Sequence, residues 1–244
     1  MPDIYADKLT RSEAEGRRNI GYLIHPRVAA ALPPNPRIAD IGTGTGHFLQ
    51  CVQESRAFPD ATLDGYDNIS LQVMDMKEPV PEELHGVYDL VHARMLVAAV
   101  LPTEWTVICN FISSKFVRGG ALEDSEALGY SPTGTVAALS DKWREEVRDR
   151  FQCGWSTLAG DMRAAGLDSV DSDCVSSDRL PETRKETAEN AMTAIFSWLR
   201  VLASKGEGMT NEELDLAEKR ASEEIEAGAY VRYEVYVFTG KKTL

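Results

Sequence analysis

A short apolar run that breaks into alternating glycines dictates how this fold begins. Arg37-Ile38-Ala39-Asp40-Ile41 reads as a buried strand, and Gly42-Thr43-Gly44-Thr45-Gly46 follows at once. Phe48, Leu49 and Val52 then fall at helical spacing, so the glycines join a strand to a helix. Glycines at such a joint let the backbone turn sharply and let a ligand approach without a Cβ in the way. The helix start offers unpaired N–H groups and a partial positive charge, which suits a carboxylate or a phosphate. Upstream, Leu32-Pro33-Pro34-Asn35-Pro36 is a stiff, extended connector that cannot be helical.

Further along, Ala61 to Asp67 reads as a second strand, Ser70 to Asp75 as a third and Val87 to His92 as a fourth. Trp105, Ile108, Cys109, Ile112 and Phe116 form one face of a helix, which Arg118-Gly119-Gly120 ends. Ala121-Leu122-Glu123 follows as a fifth strand. Alternating strands and helices predict an α/β protein with a parallel sheet covered on both faces. The second half is more helical. Val136, Leu139, Trp143 and Val147 make one stripe, and Trp155, Leu158 and Met162 make another that Gly166 ends. Ala191, Ile195, Trp198, Leu199 and Leu202 make a third. Thr210 with Glu213 spells a capping box for a fourth helix, with Leu214, Ala217, Ala221 and Ile225 inward and its many acids solvated. Tyr230 to Phe238 is the clearest strand of the chain. One tension stands out: Asp67 and Ser70 are nearly adjacent, whereas parallel neighbours need a crossover of roughly a dozen residues. Either those two strands are placed differently or a crossover element is missing, and the roles of Asp67 and Asp75 turn on which holds.

Composition narrows the function. The 244 residues carry 26 Lys and Arg against 39 Asp and Glu, a formal charge of −13. That excess repels phosphate backbones and anionic lipid, so neither nucleic acid nor a membrane is expected as partner. Apolar residues make up 43% of the chain, enough for a core in one domain spanning 1–244. Cys51, Cys109, Cys153 and Cys174 lie far apart without a Cys-x-x-Cys pair, which predicts buried free thiols and neither a metal site nor a disulfide framework. No run of about 18 apolar residues marks a membrane span. Met1 to Arg18 lacks the form of a secretory signal, so a cytoplasmic protein is expected.

Two nucleotide readings of the loop compete; spacing disfavours the first, and a missing residue pair excludes the second. A dinucleotide fingerprint wants Gly-x-Gly-x-x-Gly, but the third glycine comes one residue early and His47 holds its place. A phosphate-binding P-loop would need a Lys-Ser or Lys-Thr pair, which is absent. What remains is an acid followed by Gly-x-Gly-x-Gly. Asp40 at the strand end can face an ammonium group beside a loop suited to a carboxylate. Together these describe the methionine end of S-adenosylmethionine, a net cation that acidic surroundings favour. Asp67 ends the second strand and can accept both ribose hydroxyls. Asp75, with the N–H of Met76, can read an adenine edge.

Ile38 through Gly46 resembles motif I of the class I S-adenosylmethionine-dependent methyltransferases. Gly21-Tyr22-Leu23-Ile24-His25-Pro26 is similar to the N-terminal segment of fungal small-molecule methyltransferases of secondary metabolism. Val80 to Arg94, Trp105 to Gly120, Glu186 to Asn190 and Tyr233 to Val237 resemble further blocks of that group, so the likeness covers most of the chain. It departs at Arg118, where the family's turn has proline. The resemblance implies a Rossmann-like sheet, mostly parallel with an antiparallel last strand, plus helical additions at 135–166 and 180–228 on the acceptor side. It implies that Asp40, Gly42, Thr43 and Gly44 hold the methionine end, Asp67 the ribose, and Asp75 with Met76 the adenine. His92 and Arg94 would border cofactor and acceptor, and residues 1–36 would form a lid carrying Tyr22 and His25. By position, His92 is the first candidate for a general base and His25 the second.

The expected activity is methyl transfer to a small-molecule oxygen, nitrogen or sulfur acceptor by in-line displacement. The alternative is a protein that keeps the fold with weak or no transfer, acting as a regulator or interaction partner, in which case a nuclear location also fits. A nicotinamide oxidoreductase is the third reading, disfavoured by the glycine spacing.

Overall fold

Strand β1 (Arg37–Ile41) forms where four successive residues, Ile38 to Ile41, are all buried, as a strand covered on both faces requires. The chain then turns through the glycines into helix α2 (His47–Glu54), which follows the short α1 (Pro26–Ala29). Phe48, Cys51 and Val52 form the buried side of α2. Its crossover delivers β2 (Thr62–Tyr66), which pairs parallel to β1 with Arg37 opposite Thr62 and Ile41 opposite Tyr66. In this computed structural model, residues 21–66, 81–94, 96, 102–105, 109, 116–128, 134–146, 148–177 and 179–242 are described. The expected third strand, the Asp67–Ser70 link and the roles of Asp67, Asp75 and Met76 all lie outside the described residues.

Strand β3 (Leu90–Ala93) pairs parallel to the other side of β1 and then to β4 (Phe116–Leu128). The sequence predicted β3 from Val87, but it begins at Leu90. Asp89 exchanges bonds with Arg37: its N–H donates to the Arg37 carbonyl at 2.8 Å and its carboxylate accepts the Arg37 N–H at 2.9 Å. With β5 (Leu167–Ser176) and β6 (Tyr230–Lys242) the six-stranded order is β2-β1-β3-β4-β6-β5. The sheet is mostly parallel with an antiparallel portion.

Two expectations are corrected by the strand pairing. Phe116 opens β4 instead of closing a helix, and Arg118-Gly119-Gly120 lies inside that strand, with Arg118 opposite His92. Pairing with β3 overrides the local turn signal of two glycines. Trp105 and Cys109, from the same predicted face, are helical and buried. Strand β5 has no counterpart in the sequence reading. Its residues are mostly exposed and rich in Asp and Ser, so no apolar alternation advertised it.

The chain divides into two compact units, the described residues of 21–123, 149–174 and 235–244 forming one, and those of 124–148 and 175–234 the other. In the first, the sheet carries two apolar clusters, one around Ile38, Val52 and Leu90 and one around Ile41, Val91 and Met162. Helix α4 (Arg148–Ala164) contributes Leu158 and Met162 to the latter, as their spacing predicted. The second unit is built on α3 (Thr135–Glu146), α5 (Arg184–Ser204) and α6 (Asn211–Glu226). Val136, Leu139, Ile195, Leu199, Leu214 and Ile225 share its core. The capping box is present: the Thr210 hydroxyl accepts the Glu213 N–H, and the Glu213 carboxylate accepts the Thr210 N–H at 2.8 Å. One acid on the face expected to be solvated serves the structure instead. Glu224 accepts the N–H groups of Thr135 and Val136 at 2.7 and 2.9 Å, capping α3. Among the described residues, no helix is long and apolar enough to cross a membrane.

Candidate cofactor site

The chain runs from β1 outward to β2, then returns to place β3 on the opposite side of β1. Open α/β sheets bind ligands beyond the carboxyl ends of the strands at such a reversal, here β1 and β3. Side-chain alternation decides what stands there. Ile38 and Leu90 pack with Phe48 and Val52 on the α2 face, while Ala39, Ile41, Val91 and Ala93 join the cluster on the other face. Two residues beyond Ile38 and Leu90, Asp40 and His92 return to the α2 face. They are direct neighbours in the parallel register. Asp40 Oδ1 lies 2.7 Å from His92 Nδ1, with side chains 5% and 2% exposed. An ionised carboxylate can only accept, so His92 Nδ1 carries the proton of this bond. The Phe48 ring stacks flat on the imidazole, centroids 3.6 Å apart and planes 9° from parallel.

The glycine loop is held from the β2 side. The N–H groups of Gly42 and Thr43 both donate to the Tyr66 carbonyl, at 2.9 and 3.1 Å, and the Gly46 N–H donates to the Thr43 carbonyl at 2.9 Å. Gly42 has φ +68°, and a Cβ there would stand 2.8 Å from Leu96 Cδ2. Its smallness therefore serves an internal neighbour. Gly46, at φ +74°, is the N-cap of α2 and brings no side chain to cap the first turn. A Cβ at Gly44 or Gly46 would meet nothing within 4 Å among the described residues. Thr43 is buried, and its Oγ1 has no hydrogen-bond partner among the described residues. A buried hydroxyl without a partner is costly and is expected to meet one from a ligand or water.

The remaining candidates are placed by the N-terminal segment and β3. His25 accepts the Arg27 N–H at 3.3 Å as the cap of α1. Its ring meets Tyr22 edge-on at 5.1 Å. The Tyr22 hydroxyl donates to Asp173 Oδ2 at 2.9 Å, and Arg27 pairs with Asp171, tying this segment to β5. Ile24 and Val28 of the same segment join the cluster that contains Phe48. Arg94 follows β3 directly and is half-buried. The sequence reading took Asp40 for a carboxylate facing the ligand and His92 for a base. The structure joins them, and it adds Phe48, Tyr66 and Leu96, which no motif marked. Phe48 showed in the sequence only as an apolar helix residue.

Cys51 Sγ lies 3.3 Å from His47 Nε2 on the first turns of α2. Burial pushes the Cys109 thiol up to about 12, with the nearby Asp161 charge adding to the shift. Cys51 is buried, whereas Cys174, expected to be buried, is exposed on β5. The side chain of Cys153 lies outside the described residues. Burial also raises Tyr88, helped by its hydrogen bond to Tyr66.

No family model matches the chain. It is similar to the methyltransferase grgD of a Penicillium species, 32% identical over 129 residues, 46% of this chain and 45% of that protein. It is also similar to the methyltransferase psoC of Aspergillus fumigatus, 23% identical over 211 residues, 79% of this chain and 78% of that protein. The N-methyltransferase sirN of Leptosphaeria maculans is 25% identical over 158 residues, 56% of this chain and 52% of that protein. The chain thus spans about half the length of two of these relatives, 45% and 52%. Among solved structures it superposes on the phosphoethanolamine N-methyltransferase 2 of Haemonchus contortus, crystallised with S-adenosylhomocysteine. That match has a TM-score of 0.56 at 12% identity, over 99% of this chain and 56% of that one. Its fold is that of the class I S-adenosylmethionine-dependent methyltransferases. The [4+2]-cyclase SpnF also superposes, with a TM-score of 0.51 at 16% identity, over 89% of this chain and 79% of that one. A methyltransferase fold therefore leaves the reaction to be argued from the site.

The residues present suit the methionine end of S-adenosylmethionine. The N-terminus of α2 takes no cap from the Gly46 side chain, the Thr43 hydroxyl lacks a partner among the described residues, and the acidic Asp40 stands at the same strand end. A carboxylate and an ammonium on one ligand match these groups in sign.

Proposed function

We propose that this chain binds S-adenosylmethionine at the carboxyl ends of β1 and β3 and transfers its methyl group to a small-molecule oxygen, nitrogen or sulfur acceptor. The observation that carries the reading is the buried Asp40–His92 pair, in register at the sheet's switch point beside a left-handed glycine loop. Bound there, the cofactor supplies a methyl group on a sulfonium, already activated for displacement. The protein's part is then to orient the acceptor in line and exclude water. Asp40, Thr43 and the Gly42–Gly44 backbone would hold the methionine end. Asp67 would take the ribose, and Asp75 with Met76 the adenine. Arg94 and Tyr22 would border the acceptor.

The test is calorimetric titration of the purified chain with S-adenosylmethionine and, separately, with NAD. Micromolar affinity for the first supports the reading, and binding of NAD alone overturns it. Affinity for neither supports the alternative, a methyltransferase fold kept for regulation or partner binding. A methylation screen against thiols, phenols and amines then names the acceptor class.

A further inference from the structure

The Asp40–His92 pair does more than mark a site. His92 faces three constraints at once. Its Nδ1 donates to Asp40 at 2.7 Å, its ring lies flat against Phe48, and it is 2% exposed. A ring packed face-on and bound through Nδ1 is held still. The group it holds is a carboxylate that is itself buried. Asp40 stands in register opposite His92, so the bond runs straight across from β1 to β3 and aligns one carboxylate oxygen along the sheet. Rotation of the carboxylate would break this bond inside the protein, where an unpaired buried charge is costly.

We infer that His92 is a positioning residue: it locks the Asp40 carboxylate in the orientation that receives the ammonium of the cofactor's amino-acid end. The inference rests on the S-adenosylmethionine reading above. Phe48 completes the device from α2, because its ring stops the imidazole from turning about its own bond. The element that carries the glycine loop forward thus also clamps the histidine.

The role separates cleanly from a structural one by ligand choice. S-adenosylmethionine carries the ammonium, and 5′-methylthioadenosine keeps the nucleoside but lacks the amino-acid end. His92→Phe keeps a flat ring against Phe48 and removes the bond to Asp40. It is expected to weaken S-adenosylmethionine by about tenfold to a hundredfold, the range for losing a hydrogen bond to a charged group. Affinity for 5′-methylthioadenosine is expected to stay within about twofold, since that ligand has no group for Asp40 to hold. His92→Asn, whose amide can donate to Asp40, should recover most of the loss. In an Asp40→Ala background, His92→Phe should cost no further affinity, because a residue acting through another contributes nothing once that other is gone. Binding is read by calorimetry on variants whose circular dichroism matches the parent, with His92→Asn the second variant if His92→Phe does not fold.

Equal loss for both ligands, or additive losses in the Asp40→Ala background, overturns the positioning role in favour of general support of the fold. Unchanged S-adenosylmethionine affinity in His92→Phe overturns it outright. If the parent itself binds no S-adenosylmethionine, the functional reading fails first, and the positioning role falls with it.

Discussion

The strand ends beside the glycine loop and the helical unit of residues 124–148 and 175–234 are stabilised in opposite ways. In the helical unit, Val136, Ile195, Leu199, Leu214 and Ile225 share an apolar core, buried hydroxyls such as Ser140 and Thr183 donate to backbone carbonyls three or four residues back, and Arg200 pairs with Asp215 and Glu218 at the surface. Volume is what matters there, and cores of that kind tolerate exchange of one apolar residue for another of similar size. At the strand ends, Asp40, Thr43 and His92 are buried polar groups placed among apolar ones. Each needs a specific partner, and the Thr43 hydroxyl finds none among the described residues. Buried polar groups cost stability unless paired, and at the switch point the pairing runs between two strands, from His92 to Asp40.

The contrast breaks most sharply with Asp40→Ala. Removing one partner leaves the His92 N–H buried without its acceptor, and unfolding in urea should show a loss of about 1–3 kcal/mol. Leu214→Ala should cost about 2–5 kcal/mol by opening a cavity in the helical core. It should leave the affinity for S-adenosylmethionine unchanged in the folded protein, whereas Asp40→Ala should weaken it to a still measurable value. If both variants lose affinity alike, the two regions do not differ as argued.

Within the loop, Gly42→Ala and Gly44→Ala separate packing from ligand access. Both residues have positive φ, but only at Gly42 would the new Cβ strike a neighbour, Leu96. Gly42→Ala should therefore cost about 1–3 kcal/mol beyond the left-handed penalty of about 1–2 kcal/mol that both share. Denaturant midpoints of the two variants measure the difference directly.

Smaller effects come from the helix caps. Thr210→Ala should lower stability by about 1 kcal/mol. The backbone N–H and hydroxyl of Thr210 hold the Glu213 carboxyl below its usual 4.5. A lowered acid pKa stabilises the folded state above the unfolded value, and that gain fades as the pH falls through the lowered one. Melting curves from pH 6 to pH 3 should thus fall more steeply for the parent than for Glu213→Gln. Last, a thiol reagent should modify the exposed Cys174 quickly and Cys109 slowly. Cys174→Ser should remove a fast-reacting group, and Cys109→Ser should not.

Local patterns foretold much of this molecule. Gly42, Gly44 and Gly46 announced a strand-to-helix turn because positive φ is written in residue type, and Thr210 with Glu213 announced a cap because both partners lie within one turn. Tyr230 to Phe238 was legible as a strand from its β-branched and aromatic side chains alone. What failed was whatever depends on a distant partner. Strand β5 is polar and sits at the sheet edge, so it hides from hydrophobic patterning. Gly119 and Gly120 look like a stop until β3 pairs with the strand that holds them. Glu224 looks solvated until α3 begins beside it.

The same division runs through the site. The amino-acid order determined the loop, the acid before it and the histidine at the end of a later strand, since each belongs to one short segment with its own backbone preference. Only the tertiary structure could decide that Asp40 and His92 are neighbours with Phe48 over them, because 52 residues separate the acid from the histidine and strand pairing alone brings them together. That pairing engages His92 Nδ1 with the acid, and no spacing along the chain carries that information.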